Sequence, residues 1–167
     1  MVVSAYDRQL RAEDSCINRP PPDTFLPPRT GPPATDRLII HPHKDVGAVI
    51  ASGSFLHDGM AILPCSSATL GAIATGSGSN LLARAAAVCL KERRPLIICH
   101  RETPLSLIDI ENYRALTLAG AIICPTNPGF YLLPKRIEDL GDFMAGKVLD
   151  LLKVPHTLAT RWEEHPA

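Results

Sequence analysis

The chain has 167 residues, of which 46% are hydrophobic and 20% charged, a composition typical of one folded domain and not of a disordered chain. Its 17 basic and 17 acidic residues cancel, so the charge does not favour a nucleic acid or an anionic membrane surface as a partner. The apolar runs are too short for a membrane span, which argues against a transmembrane class.

The five cysteines indicate the compartment of the protein. Their odd number and the absence of a C-x-x-C pair indicate small buried residues in a reducing environment, so we expect a cytoplasmic protein. The amino terminus carries acids early and has no long apolar stretch, which argues against a secretion signal. A mitochondrial location stays open, although the same acids argue against it. The six histidines show no metal-ligand spacing, so no metal site is expected.

The composition changes near residue 36. Seven of the sixteen prolines lie between Pro20 and Pro33, where they prevent a regular helix or a central strand. Residues 1–36 are therefore predicted to be a disordered or polyproline-like tail. Residues 37–167 are predicted to form one α/β domain.

Beyond the tail, strand and helix patterns alternate. The apolar runs predict a weak strand at 37–41 and buried strands at 59–64, 95–99 and 120–124. Helical patterns lie at 44–51, at 66–93 with a Gly/Ser break at 75–79, at 104–118 with a proline in its first turn, and at 136–152. This order predicts a three-layer parallel sheet with helices on both faces. In such sheets, ligands bind where strands lead into helices.

The loop after the strand at 59–64 carries Ser66, Ser67 and Thr69. Their hydroxyls lie beside free amides at a predicted helix start, which favours an anion site. An ordinary helix cap by Ser66 or Ser67 is the alternative.

The loop after the strand at 95–99 carries Arg101 and Glu102. An arginine can bind a phosphate with two parallel hydrogen bonds, and a glutamate beside it can exchange protons. A surface ion pair between the two is the alternative.

Two further features are weaker. Tyr131 and Phe130 follow the strand at 120–124 and could contact an anion and a planar or prenyl group, or they could simply cover a core edge. Arg84 and Lys91 lie two helical turns apart on one face of a predicted helix, where they could bind one phosphate together or simply face the solvent.

Taken in order, several segments resemble the flavin prenyltransferases of the UbiX/Pad type over roughly residues 45–163. They are SGSF, GMAILPCSSATL, NLLARAAAVCLKERRPLIICHRETPLSL, AGAIICPTNPGFYLLP and GKVLDLL. The resemblance implies a Rossmann-like flavoprotein fold that joins a dimethylallyl group from dimethylallyl phosphate to reduced FMN. It also implies that the prenylated FMN serves a UbiD-type decarboxylase, and that the chain is a homo-oligomer, a dodecamer in the family, with sites shared between subunits.

The resemblance also implies roles for single residues. The FMN loop would be Ser66, Ser67, Ala68 and Thr69, and Arg101 would contact both flavin and substrate phosphate. Proton handling would belong to Glu102, with Lys91 and Arg84 as further catalytic cations around the phosphate. The residues that hold dimethylallyl phosphate would be Tyr131 and Lys147, with Trp162 near the site.

Two departures from the family pattern bear on function. Ala68 stands where the S-x-K-T loop has lysine, and residues 1–36 contain no G-x-S-G-A-S-G turn, so the first βα unit is expected to be missing. A truncated, non-catalytic flavin-binding or assembly subunit is therefore the alternative function. A flavin-dependent cysteine decarboxylase is a third possibility, since PCSSAT resembles its P-x-S-A-N-T loop, but the RETPL run argues against it.

Overall fold

The computed structural model describes Ile39 and residues 41–158, and this part of the chain forms an open parallel sheet with helices on both faces. The strands are β1 (Met60–Cys65), β2 (Leu96–His100) and β3 (Ile122–Ile123), in the order β1-β2-β3. The α-helices are α1 (Ser67–Ala74), α2 (Leu81–Lys91), α3 (Leu107–Leu118) and α4 (Ile137–Leu151). Short 3₁₀ helices span Val49–Ala51 and Phe130–Leu132. The predicted α/β class is confirmed.

Strand β2 lies at the centre of the core, and all five of its residues are buried. Leu96 and Ile98 belong to the larger apolar cluster, which α1, α2 and α3 complete. Ile97 and Cys99 point to the opposite face, where Val148 of α4 covers them. The uninterrupted apolar run of β2 is the pattern that a strand covered on both faces requires.

Local caps set where the helices begin. Asn80 accepts a hydrogen bond of 2.9 Å from the amide of Ala83 and starts α2 after the predicted Gly/Ser break. Ser106 and Asp109 form a reciprocal capping box at the start of α3. The prediction that this helix begins near Pro104 is therefore wrong, since Ser106 ends the preceding loop.

Two other predicted elements are shorter than expected. The helix predicted at 44–51 is reduced to the 3₁₀ turn Val49–Ala51, in a segment whose β-branched residues and Gly47 disfavour an α-helix. The strand predicted at 120–124 pairs with β2 only at Ile122–Ile123. Its first residues instead close α3, since Gly120 (φ 102°) donates its amide hydrogen bond to Thr117.

Residues 1–38, 40 and 159–167 lie outside the described part of the chain. The Pro-rich tail, the boundary at residue 36 and most of the predicted strand at 37–41 therefore stay predictions. No helix between residues 41 and 158 is both long and apolar enough to cross a bilayer.

Candidate active site

Three loops that carry predicted site residues leave the same edge of the sheet. The amide of Arg101 donates a hydrogen bond of 3.1 Å to the carbonyl oxygen of Cys65, which joins the ends of β1 and β2. The amide of Thr126 donates one of 3.0 Å to the carbonyl oxygen of His100, which joins the loop after β3 to the same edge. The carboxyl ends of the strands thus hold the loops that begin at residues 66, 101 and 125 side by side.

The first loop contains the cap of helix α1. Ser66 is the N-cap of α1, and its hydroxyl accepts from the Thr69 amide at 3.3 Å and donates to the Thr69 hydroxyl at 3.2 Å. Ser67 turns inward and Ala68 is exposed. As the first two residues of the helix, Ser67 and Ala68 have amides without an acceptor inside the helix.

The second loop presents two charges to solvent. Both Arg101 and Glu102 are exposed, and in the described part of the chain no ion pair joins them. Glu102 instead accepts a hydrogen bond of 3.1 Å from the amide of Thr103 through Oε1. The surface ion pair that sequence reasoning left open is therefore not formed, and the Arg101 guanidinium faces the solvent.

The third loop ends in the short 3₁₀ helix that contains Tyr131. The Tyr131 ring packs edge-on against Phe143 of α4, with centroids 6.2 Å apart and an interplanar angle of 87°. Tyr131 and Phe130 are 63% and 66% exposed, which leaves aromatic surface available to a ligand.

Lys147 lies on the same helix face as Phe143, because the two are one turn apart in α4. Its side chain is exposed. Phe143 is thus a common reference for both residues: Tyr131 packs on its ring, and Lys147 follows it by one helical turn.

Arg84 and Lys91 lie near opposite ends of α2. Arg84 is exposed in the first turn of α2, and Lys91 ends that helix, paired with Glu92 at 2.9 Å. Since the chain enters β2 a few residues after Lys91, this lysine lies near the amino edge of the sheet. A five-residue strand separates the two edges by about 15 Å. Within one chain, Lys91 is therefore not brought to Arg101.

Sequence reasoning missed a buried polar network behind the first two loops. The His100 imidazole is 1% exposed, and its Nε2 and Nδ1 atoms lie 3.1 Å from the Ser67 hydroxyl and 2.7 Å from the Tyr113 hydroxyl. The signal was the histidine that ends an otherwise apolar strand, because a buried imidazole needs hydrogen-bond partners.

Hydrogen bonding and burial shift the pKa values of the ionisable groups around this network in opposite directions. Hydrogen bonds from the hydroxyls of Ser106 and then Ser67 lower the pKa of Asp109 to about 2. Burial raises the pKa of the Cys65 and Cys99 thiols to about 12. These cysteines are therefore protonated at neutral pH and poor nucleophiles.

Trp162 lies outside the described residues, so its expected place near the site stays a prediction. Between residues 41 and 158, no group of three His, Cys, Asp or Glu side chains could hold a metal ion.

Comparison with known families and proteins gives consistent matches. The profile of the family described as Flavoprotein matches residues 35–158. The "Flavin prenyltransferase UbiX" of Alkalihalophilus pseudofirmus is 53% identical over 127 residues, which are 76% of this chain and 64% of that protein. The protein of the same name from Thermoplasma acidophilum is 49% identical over 118 residues, covering 71% of this chain and 66% of that protein. The chain thus spans just under two thirds of the length of these relatives.

Solved structures agree with these matches. The crystal structure of AnUbiX (PadA1) in complex with FMN and dimethylallyl pyrophosphate is 36% identical, with a TM-score of 0.81 over 99% of this chain and 82% of that one. A dodecameric FMN-dependent UbiX-like decarboxylase from Escherichia coli O157:H7 is 42% identical, with a TM-score of 0.72 over 74% of this chain and 67% of that one.

Proposed function

The chain belongs to the Flavoprotein family, and we propose that it is a flavin prenyltransferase that transfers a dimethylallyl group from dimethylallyl phosphate to reduced FMN. One observation carries this proposal: one edge of the sheet holds the hydroxyls of the first loop, the unpaired Arg101 and the exposed Glu102. Similarity to proteins named flavin prenyltransferases, at 45% to 53% identity, supports the same activity.

The residues present fit FMN. A flavin mononucleotide needs donors for its phosphate and apolar surface for its ring system. The free amides at the start of α1 and the hydroxyls around them are suited to an anion. Phe130 and Leu63, which are 66% and 50% exposed, offer apolar surface near the same edge. In this proposal Ser66, Ser67, Ala68, Thr69 and Arg101 bind FMN.

When bound, reduced FMN would supply the nucleophilic ring atoms that receive the prenyl group. As the carbon–oxygen bond of dimethylallyl phosphate breaks, its electron pair leaves with the phosphate. Arg101 and Lys147 would stabilise the negative charge that builds there, and the Tyr131 hydroxyl would donate a hydrogen bond to the same group. Phe130 would shelter the allylic carbon from water, and Glu102 would accept the proton released as the new bond forms.

In this proposal Lys91 is a cation from a neighbouring copy of the chain, and Arg84 is a further cation around the phosphate. Since Lys91 lies at the far edge of its own sheet, it can serve the phosphate only across a subunit contact. A homo-oligomer with shared sites satisfies this requirement, and the similar E. coli protein is described as dodecameric. The dodecamer, the UbiD-type decarboxylase that would use the product, and the cytoplasmic location belong to the proposal as well. The buried free thiols Cys65, Cys89 and Cys99 support a reducing compartment.

A non-catalytic flavin-binding or assembly subunit is the second candidate. One observation favours it: Ala68 offers no cation at the FMN loop.

One experiment separates the two candidates. Purified protein is incubated with reduced FMN and dimethylallyl phosphate, and the products are analysed by mass spectrometry. FMN that has gained one prenyl unit supports the prenyltransferase. Bound FMN without an adduct supports the non-catalytic subunit, and protein that binds no FMN contradicts both.

A further inference from the structure

We propose that His100 is a positioning residue that fixes the FMN-facing start of α1 relative to the two neighbouring loops. This inference rests on the proposed function, because it takes FMN to bind at this edge of the sheet. It concerns a side chain that contacts neither FMN nor dimethylallyl phosphate in that proposal. Its role would be exerted through Ser67.

His100 connects four parts of the fold. Its imidazole reaches Ser67, the first residue of α1, on one side and Tyr113 of α3 on the other, at 3.1 Å and 2.7 Å. Its carbonyl oxygen accepts from the amide and the hydroxyl of Thr126, at 3.0 Å and 3.4 Å. Since Arg101 is the next residue, one buried side chain and its backbone fix all three loops of the candidate site.

The imidazole has a hydroxyl at each ring nitrogen, that of Ser67 at Nε2 and that of Tyr113 at Nδ1. In either neutral tautomer one ring nitrogen donates and the other accepts, and a hydroxyl can take either role, so both nitrogens have a partner. Complete pairing is the condition for a stable buried network.

Loss of one of these hydrogen bonds should weaken FMN binding at the first loop. Without the Tyr113 hydroxyl, the buried Nδ1 atom loses its partner, and the imidazole can recover one only by rotating. Rotation releases Ser67, whose amide and that of Ala68 would contact the FMN phosphate. Small displacements at a preorganised anion site weaken binding although no ligand contact is deleted.

Tyr113→Phe tests the inference, because it deletes one hydroxyl outside the three loops. We expect the Kd for FMN, measured by the quenching of flavin fluorescence, to rise about fivefold, as for the loss of one buried hydrogen bond. Val88→Ala is the matched control: Val88 is buried in α2 and takes no part in the network. It should lower the midpoint of thermal unfolding at least as much, with an unchanged Kd.

Nitrogen-15 NMR of the histidine ring gives a second measurement. We expect the Nδ1 shift of His100 to differ between the wild type and Tyr113→Phe, because the hydroxyl beside this atom is deleted. An unchanged Kd in Tyr113→Phe, or the same change in Val88→Ala, would overturn the positioning role while leaving the prenyltransferase proposal intact. A wild-type protein that binds no FMN would overturn both.

Discussion

Gly129 lies so close to the Phe143 ring that a Cβ atom added to this glycine would be 2.9 Å from two ring carbons. The same Cβ atom would also meet the Tyr131 ring at 2.9 Å. The loop that carries Tyr131 can therefore approach α4 only because residue 129 has no side chain.

Gly129→Ala is expected to push this loop away from α4. Overpacking of this kind costs about 1–3 kcal/mol, and it should raise the KM for dimethylallyl phosphate more than the Kd for FMN. Steady-state kinetics and FMN titration measure the two. Gly141→Ala in α4 is the control, since nothing lies within 4 Å of the added Cβ atom and alanine favours the helix. Equal effects of the two variants would argue against the close approach as the cause.

Glu102→Gln is expected to slow prenyl transfer and leave FMN binding unchanged. The amide oxygen of glutamine can still accept the hydrogen bond from the Thr103 amide, so the loop keeps its local structure. Loss of a general base typically lowers kcat by about 10²–10⁴-fold. Glu111→Gln, at an exposed position of α3, should leave kcat unchanged. If FMN binding and kcat are lost together, Glu102 has a structural role instead.

Two inactive variants should restore activity in a mixed oligomer. If Arg101 and Lys91 of one site come from different subunits, random assembly of Arg101→Ala and Lys91→Ala chains leaves about a quarter of the sites intact. Coexpression with separate affinity tags, followed by product analysis, measures the recovered kcat. A mixed oligomer without activity would place both residues in the same chain's site.

Ala68→Lys should strengthen FMN binding at low salt. The exposed position at the start of α1 would bring an ammonium group to the proposed phosphate site, and the gain should fade as ionic strength rises. A cation at a helix start opposes the helix dipole, so a small loss of stability, about 0.3–1 kcal/mol, should accompany it. Ala68→Gln controls for side-chain length. If both variants bind FMN equally, charge at residue 68 is irrelevant.

Stability should fall at low pH through Asp109. Its folded-state pKa is about 2, below the value of about 4 expected in an unfolded chain, so the unfolded chain takes up a proton more readily. The contribution is present above pH 4 and is lost as the pH falls towards 2. Chemical denaturation between pH 5 and 2 should show a weaker pH dependence in Asp109→Asn. The same dependence in both proteins would mean that the capping box adds no pH-linked stability.

Much of the fold could be predicted because its signals are local. The apolar run of β2 and the Gly/Ser break before α2 are each contained in a few neighbouring residues. The start of α3 was misplaced because a proline that suits a first turn competed with the capping serine two residues later. Gly120 was assigned to a strand because a sequence does not show which residues a helix uses to close its last turn.

The site was predictable only in part, for a different reason. Residues at strand ends could be grouped because parallel strands place their carboxyl ends together. The hydrogen-bonding role of His100 was not predicted, because its partners Ser67 and Tyr113 lie 33 and 13 residues away along the chain. The spacing of Arg84 and Lys91 predicted a shared helix face, but it did not reveal that a helix leading into β2 must end at the opposite edge of the sheet.

The complete burial of β2 has a consequence for how the protein opens. Its amides hydrogen-bond to strands on both sides, and helices cover both of its faces. Solvent can reach them only after the layers separate, so deuterium should enter this strand last, at a rate set by global unfolding. The amide of Glu102, in the exposed loop that follows, should exchange within the first time points.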